Sequence, residues 1–368
     1  MPRARAHGAK ADHRQPNRTR PPRLVILAAS SVRSPLDRVQ TWPPSAPPQA
    51  PIGSGLGFST TATEAIAGRD LRGRHAIVTG GHSGLGLETT RVLAAAGADV
   101  IVPARNQQAA DRALSGIANV RTATLDLMDD ASIDAFANSF LATAPALHIL
   151  VDSAGIMASP LMRDARGREA QFSTNHLGHF RLAARLWPAL QRAGGARVVA
   201  VSSGGHRLGG IDFDDVQFER REYHKWKAYG QSKTANALFA VTLDALGEKH
   251  GVRAFSLHPG SVPTDLSRHL SQADMVAMGF RDEHGNIPAD KVSQYKNVAQ
   301  GAATSVWCAT SPQLDGMGGV YCEDCDIAVA VAGDDPAPKG VRPWACDLAT
   351  AEQLWALSES LTGLSIRP

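Results

Sequence analysis

From about Gly57 onward the chain alternates between two patterns of apolar positions. Short runs such as His75-Ala-Ile-Val-Thr79 are nearly continuous, as in strands buried on both faces. Between them lie longer stretches whose apolar residues recur every three or four positions, the period of a helix with one buried stripe. The strands this predicts are His75–Thr79, Asp99–Val102, Val120–Leu125, His148–Val151, Arg197–Val201, Val252–Leu257 and, last, Val320–Tyr321. The predicted helices are Leu87–Ala96, Gln107–Leu114, Ala131–Leu141, Gln171–Leu190, Tyr229–Leu246, Asp290–Cys308 and Asp347–Leu361. Alternating strands and helices imply an α/β class: a Rossmann-type, doubly wound parallel sheet with ligands at the carboxyl ends of the strands.

Residues 1–56 lack this periodicity and hold ten of the 22 prolines. Such a composition buries too little apolar surface to offset ordering, so 1–56 is expected to be a disordered extension and 57–368 a single folded domain. Residues 1–60 carry nine Lys/Arg against Asp12 and Asp37, while the remainder is slightly acidic. The basic leader is compatible with an organelle transit peptide or an early start. The acidic remainder gives no support for nucleic-acid binding. No apolar run approaches the roughly 20 residues of a bilayer span, so stable membrane insertion is not expected, and the reading is a cytoplasmic protein. The four cysteines are Cys308, Cys322, Cys325 and Cys346. Cys322-Glu-Asp-Cys325 has a metal-like spacing, but no second such pair accompanies it, so reduced thiols and no metal are expected.

The chemistry begins after the first strand. Gly80-Gly81-His82-Ser83-Gly84-Leu85-Gly86 joins a strand to a helix, where a helix N-terminus can hold a pyrophosphate. The second strand ends in Pro103-Ala104-Arg105, without the acidic residue that would accept the ribose hydroxyls of NAD. Arg105 suits a 2′-phosphate instead, so NADP(H) is preferred and NAD(H) remains possible. Asp126 and Leu127, ending the third strand, are placed to meet the adenine. Tyr229 and Lys233 stand four apart and share one helix face, where an ammonium can favour a phenolate. Ser203 ends the fifth strand, where it can polarise a carbonyl or merely terminate the strand. Asn175, early in a long helix, needs partners if buried and can equally serve a helix kink. His176 and His179 lack a third ligand and read as core or surface histidines.

Together these pieces resemble the short-chain dehydrogenase/reductase family. The likeness rests on Thr79-Gly80-x-x-x-Gly84-x-Gly86, Asn175, Ser203, Tyr229-x-x-x-Lys233 and Pro259-Gly260. Asn175-His-Leu-Gly-His-Phe180 and His258-Pro-Gly-Ser-Val262 are similar to the retinol-dehydrogenase-like and protochlorophyllide-reductase-like branch. The resemblance implies an oxidoreductase moving a hydride between a nicotinamide and an alcohol or carbonyl. In it Tyr229 is the acid/base, Lys233 holds the nicotinamide ribose, Ser203 bonds the substrate oxygen and Asn175 orders a relay water. It also implies cofactor contacts at Ala154, Gly155, Pro259, Gly260, Val262 and Thr264. A homo-oligomer through the helices holding Asn175 and Tyr229 is implied as well. One departure stands out: where the family often has Asn-Asn-Ala-Gly, this chain has Asp152-Ser153-Ala154-Gly155, which puts local hydrogen bonding in doubt. Apolar residues in 204–226 and 266–290 suit a lid over a lipophilic small-molecule substrate, or pack on the core. Reduction of a C=C bond, and a non-catalytic NADPH sensor, are the alternatives.

Overall fold

The computed structural model describes residues 49–143 and 146–366. Among them one sheet carries eight strands: β1 His75–Thr79, β2 Asp99–Ala104, β3 Val120–Thr124, β4 Ile149–Asp152, β5 Ala196–Val201, β6 Val252–His258, β7 Val320–Glu323 and β8 Asp326–Ile327. Their order is β3-β2-β1-β4-β5-β6-β7-β8. Strands β1 to β7 pair in parallel, and β8 turns back antiparallel on β7. The chain builds outward from β1 to β3 and then returns to lay β4 on the other side of β1. That reversal opens the crevice in which doubly wound sheets bind their ligands.

The helices are α1 Ala62–Ala65, α2 Gly84–Ala95, α3 Gln107–Ala113, α4 Asp130–Thr143, α5 Ala170–Phe172, α6 Gly178–Arg192, α7 Lys225–Gly247, α8 Gln272–Ala277, α9 Val298–Thr310 and α10 Leu348–Thr362. Successive strand residues point to opposite faces, and the core divides accordingly. Ala76, Val78, Val100 and Val151 pack with α2 and α9 through Val92, Leu93, Val306 and Trp307. Ile77, Ile101, Leu150 and Val198 pack with α4, α6 and α7 through Ile133, Phe136, Leu182 and Phe239. The near-continuous apolar strands are those buried on both faces.

Three expected elements change. The helix expected over Gln171–Leu190 is interrupted: α5 gives way to a π-helical turn, Ser173–Leu177, before α6 resumes. The helix expected over Asp290–Cys308 begins only at Val298, where Asn297 and Gln300 form a capping box. Ahead of it Ala289–Gln294 is a 3₁₀ turn with no buried residue, so no apolar stripe extends the helix backward. The last expected strand is followed by β8, and the turn between them explains the cysteine spacing. Asp324 and Cys325 both have positive φ, +52° and +59°, and Glu323 pairs with Asp326. Cys-x-x-Cys here is the signature of a two-residue hairpin, with Cys322 and Cys325 buried in the core.

Most of the expected disordered extension lies outside the described residues. Its last part does not: Gln49 Nε2 donates to the carbonyls of Tyr321 and Ala328 at 2.8 and 2.7 Å. The amides of Ile52, Gly53 and Ser54 donate to the Asp326 carboxylate. Residues 49–54 are therefore tied to the edge of the sheet. Helix α10 lies across α7, with Trp355 stacked on Phe239 and edge-on to Phe180. Within the single chain 18 of the 23 residues of α7 are buried. Helix α10 therefore packs on α7, one of the two helices through which a homo-oligomer was expected. No helix among the described residues is long and apolar enough to cross a membrane.

Candidate active site

The turn after β1 is built by backbone freedom and close approach. Gly80 and Gly84 have φ of +67° and +51°, which most side chains avoid. A Cβ at Gly86 would stand 2.4 Å from the Gly80 carbonyl oxygen, so only glycine lets α2 start this close to β1. Ser83 precedes α2 as its N-cap but makes no side-chain capping bond. The first-turn amides of α2 are left to an anion from outside. A Cβ at Gly301 of α9 would strike Val262 and Leu85 at 2.6 and 2.7 Å, so α9 seats the loop after β6 against this turn.

Gly80, Ser83, Gly84, Leu85 and Gly86 line a cavity of about 840 Å³ together with Arg105, Asp126, Leu127, Ala154 and Gly155. Ser203, Tyr229, Lys233, Pro259, Gly260, Val262 and Thr264 line the same cavity. Residues drawn from six strand ends and their following segments thus face one space. Arg105 is exposed and forms no ion pair with any described residue. The glycine turn, the uncapped helix start and the missing acid at the end of β2 all fit a dinucleotide phosphate. Asp126 is engaged locally, its Oδ1 accepting from the Met128 amide at 2.9 Å.

Asn175 is the one predicted site residue set behind the lining. It is fully buried in the π-turn, and its Nδ2 donates to the Ile156 carbonyl and to Ser232 Oγ, both at 2.9 Å. Its Oδ1 accepts from the Ile156 amide at 2.9 Å. A continuous α-helix would have no reason to place this amide so; the π-turn re-aims it at the backbone after β4. A Cβ at Gly155 would come within 3.1 Å of Asn175 Oδ1 and 3.6 Å of Lys233 Nζ, so Gly155 keeps cavity and amide in contact. Ser232, whose own hydroxyl donates to the Tyr229 carbonyl at 2.8 Å, links Asn175 to the helix of Tyr229. Its position one residue before Lys233 was the available signal.

Tyr229 is 3 % exposed, and burial pushes its hydroxyl up to about 12 while a hydrogen bond with Ser203 pulls it down. Lys233 Nζ donates to the Val201 carbonyl at 2.9 Å and stands 6.0 Å from the Tyr229 ring centre. Burial brings that lysine down to about 8. In the protein alone burial therefore outweighs the effect expected of the ammonium on the phenol. A Cβ at Gly205 would meet the Tyr229 ring at 2.6 Å, so the backbone after Ser203 lies flat against the phenol. His258 Nδ1 accepts from the Gly204 amide at 2.9 Å and holds that backbone in place.

Beneath the cavity the Asp152 departure has a clear consequence. Thr79 Oγ1 accepts from the amides of Ser153 and Ala154 at 2.9 and 3.0 Å. Thr79 Oγ1 lies 2.9 Å from His179 Nε2, and His179 Nδ1 lies 3.0 Å from the Asn175 carbonyl. A carbonyl only accepts, so Nδ1 carries the proton and Nε2 takes the threonine's. This chain satisfies every member without Asp152. Both carboxylate oxygens of Asp152 lack a hydrogen-bond partner among the described residues, and burial holds the carboxyl well above the usual range. His179 is 3.9 Å away, but burial lowers it to about 4, so near neutral pH it offers no charge. His176 is also a core histidine, 2.7 Å from Ser358 Oγ of α10.

A short chain dehydrogenase family model matches residues 74–275. A protein of Streptomyces lividans named "probable oxidoreductase" is 46 % identical over 292 residues, covering 78 % of this chain and 96 % of its own. Human retinol dehydrogenase 12 is 37 % identical over 300 residues, covering 80 % of this chain and 88 % of its own. Among solved structures, an uncharacterized protein from Mycobacterium paratuberculosis superposes with a TM-score of 0.64 at 30 % identity. That alignment covers 85 % of this chain and all of the other.

Proposed function

The chain belongs to the short-chain dehydrogenase/reductase family, and we propose that it is an NADP(H)-preferring reductase of carbonyl groups on lipophilic small molecules. The observation that carries the reading is the convergence of Ser203, Tyr229 and Lys233 on the cavity that also holds the glycine turn and Arg105. When bound, the nicotinamide cofactor supplies the hydride. Arg105 would hold the 2′-phosphate, the glycine turn and α2 the pyrophosphate, and Pro259, Gly260, Val262 and Thr264 the nicotinamide side.

The residues of the chain handle the oxygen. Ser203 Oγ and the Tyr229 hydroxyl influence each other and line the same cavity, where both can meet a carbonyl oxygen. With its hydroxyl near 12, Tyr229 carries its proton at neutral pH and is ready to donate it to the developing alkoxide. Oxidation would instead require the phenolate. Lys233, below its value of about 8, is charged and can steady negative charge on the phenol as the proton leaves. Asn175 and Ser232 position this helix against β4 and its following turn.

The test is NADPH oxidation by the purified protein across aldehydes, ketones and conjugated enones, with Tyr229→Phe as control. Loss of the acid should cost about 10²–10⁴-fold in turnover, with NADPH binding retained. Turnover of a carbonyl that survives in Tyr229→Phe would overturn the mechanism. Turnover confined to enones would favour the C=C reductase reading.

A further inference from the structure

The cavity is lined by four arginines, Arg105, Arg207, Arg268 and Arg281, against two carboxylates, Asp126 and Asp265. None of the four forms an ion pair with any described residue. Arg105 is accounted for by the 2′-phosphate of the proposed cofactor. Arg268 and Arg281 lie on the lid over the cavity. Arg207 differs in standing beside the reacting centre, on the turn that follows Ser203.

Its guanidinium lies across the backbone of Gly204: a Cβ there would stand 2.7 Å from Arg207 Nη2 and 3.2 Å from His258 Nε2. Gly204 is the residue after Ser203, so the charge lies against the backbone of the turn that carries the hydroxyl expected to hold the substrate oxygen. Nη1 donates to the Pro338 carbonyl, the one hydrogen bond the described residues give this side chain. Glu323 is near enough to be felt electrostatically, but its Oε1 accepts from the Gly340 amide at 2.9 Å and it makes no ion pair with Arg207. Arg342, of like charge, is also within reach. A half-buried cation that makes no direct ion pair is costly. A planar fork with free donors matches a carboxylate in two-point fashion. The same cavity is lined by apolar side chains, with Trp226 edge-on to both Tyr229 and Phe280, and Met275 and Met278 in the lining.

We propose that Arg207 reads a carboxylate on the substrate, and that the substrate class is an oxo acid with an apolar body. The inference rests on the reductase reading above. The hydride passes to the carbonyl carbon and the Tyr229 proton to its oxygen, so that NADPH is oxidised, the carbonyl becomes a hydroxyl and the carboxylate is unchanged.

The test uses apolar oxo acids whose carboxylate stands progressively further from the ketone, each paired with its methyl ester, in the presence of NADPH. For at least one spacing the acid should exceed its ester in kcat/KM by tenfold or more. Arg207→Gln should reduce that ratio at least tenfold, mainly through KM, and Arg207→Lys should restore part of it. Arg281→Gln should change the ratio less. An ester preferred at every spacing, or a ratio that survives Arg207→Gln, would overturn the proposal. So would equal losses in Arg207→Gln and Arg281→Gln, which would mean a general positive field. Turnover of esters lost in Tyr229→Phe keeps the reductase reading whatever the ratio. If neither acid nor ester turns over, calorimetry with the NADP⁺-loaded protein decides. Binding of the acid over the ester, lost in Arg207→Gln, supports the carboxylate reader even as the reductase reading fails. Equal binding of acid and ester overturns it.

Discussion

On the wall formed by α7 and the π-turn, Asn175, Ser232 and Lys233 are buried and each bonds to a neighbouring group. On the opposite wall, Asp265–His269, Gln272–Ala277 and Ala289–Gln294 contain no buried residue. This segment meets the rest of the chain through the Lys225–Asp274 ion pair and the Trp226–Phe280 ring contact, and is braced internally by the Lys291 and Tyr295 bonds to the carbonyls of Gly279 and Phe280. A buried polar group left without its partner costs about 1–3 kcal/mol, so the first wall tolerates little change. Half-exposed contacts cost little to open, and segments held by them are the ones that move around ligands. The wall proposed to carry proton transfer and cofactor is thus the densely packed one, and the wall proposed to meet the substrate is the exposed one.

The largest effect should come from attacking the rigid side. Gly86→Ala forces a methyl group to 2.4 Å from the Gly80 carbonyl oxygen, a distance the backbone must yield to relieve. Overpacking of this kind costs about 1–3 kcal/mol or more. Thermal melts should show the loss, and NADPH fluorescence titration should show affinity weakened more than tenfold. Affinity within twofold of wild type would mean the turn does not hold the cofactor.

Arg105→Asp tests the edge of the same wall without touching its packing. Hydrogen bonds to a charged group are worth about 1.5–3 kcal/mol, so the NADPH-to-NADH affinity ratio should move roughly 10–100-fold toward NADH. An unchanged ratio would remove Arg105 from the phosphate.

Asp152→Asn asks whether the rigid wall carries its own flaw. The folded-state carboxyl is raised, so the folded protein holds a proton the unfolded chain has released. Stability therefore falls as pH rises from the ordinary carboxylate range, near 4, through the raised value. The groups facing Asp152 do not reverse the sign, since His179 is neutral there and Thr79 is already engaged. The variant should lose this slope and melt a few degrees above wild type at pH 8. Parallel pH profiles would show that Asp152 finds a partner in solution.

The smallest effect belongs to the lid. Lys225→Ala removes its ion pair with Asp274, both side chains being about a third exposed. A few-fold rise in substrate KM with little change in melting temperature is expected. A large drop in melting temperature would mean that the lid is part of the core.

Local patterns in the chain report on periods and turns, and they determined the α/β class, the strand sequence and the gathering of Tyr229, Lys233 and Ser203 at one end of the sheet. Those follow because a buried parallel strand, a helix stripe and a glycine turn each leave a mark within a few neighbouring residues. The capping box at Asn297 was equally local, and attention to it would have started α9 at the right residue. Other features depend on residues far apart in the chain. The π-turn exists where Asn175 must reach Ile156 and Ser232, and no helical period announces it. Asp152 is unpaired because Thr79, His179 and two amides complete a network without it. Helix α10 was visible as a helix, but that it covers α7 was decided by Trp355 meeting Phe180 and Phe239. Arg207 stood in the sequence as one arginine among many. Only the fold laid its charge against Gly204 on the cavity wall without an ion pair, because electrostatic partners are set by proximity in space rather than along the chain.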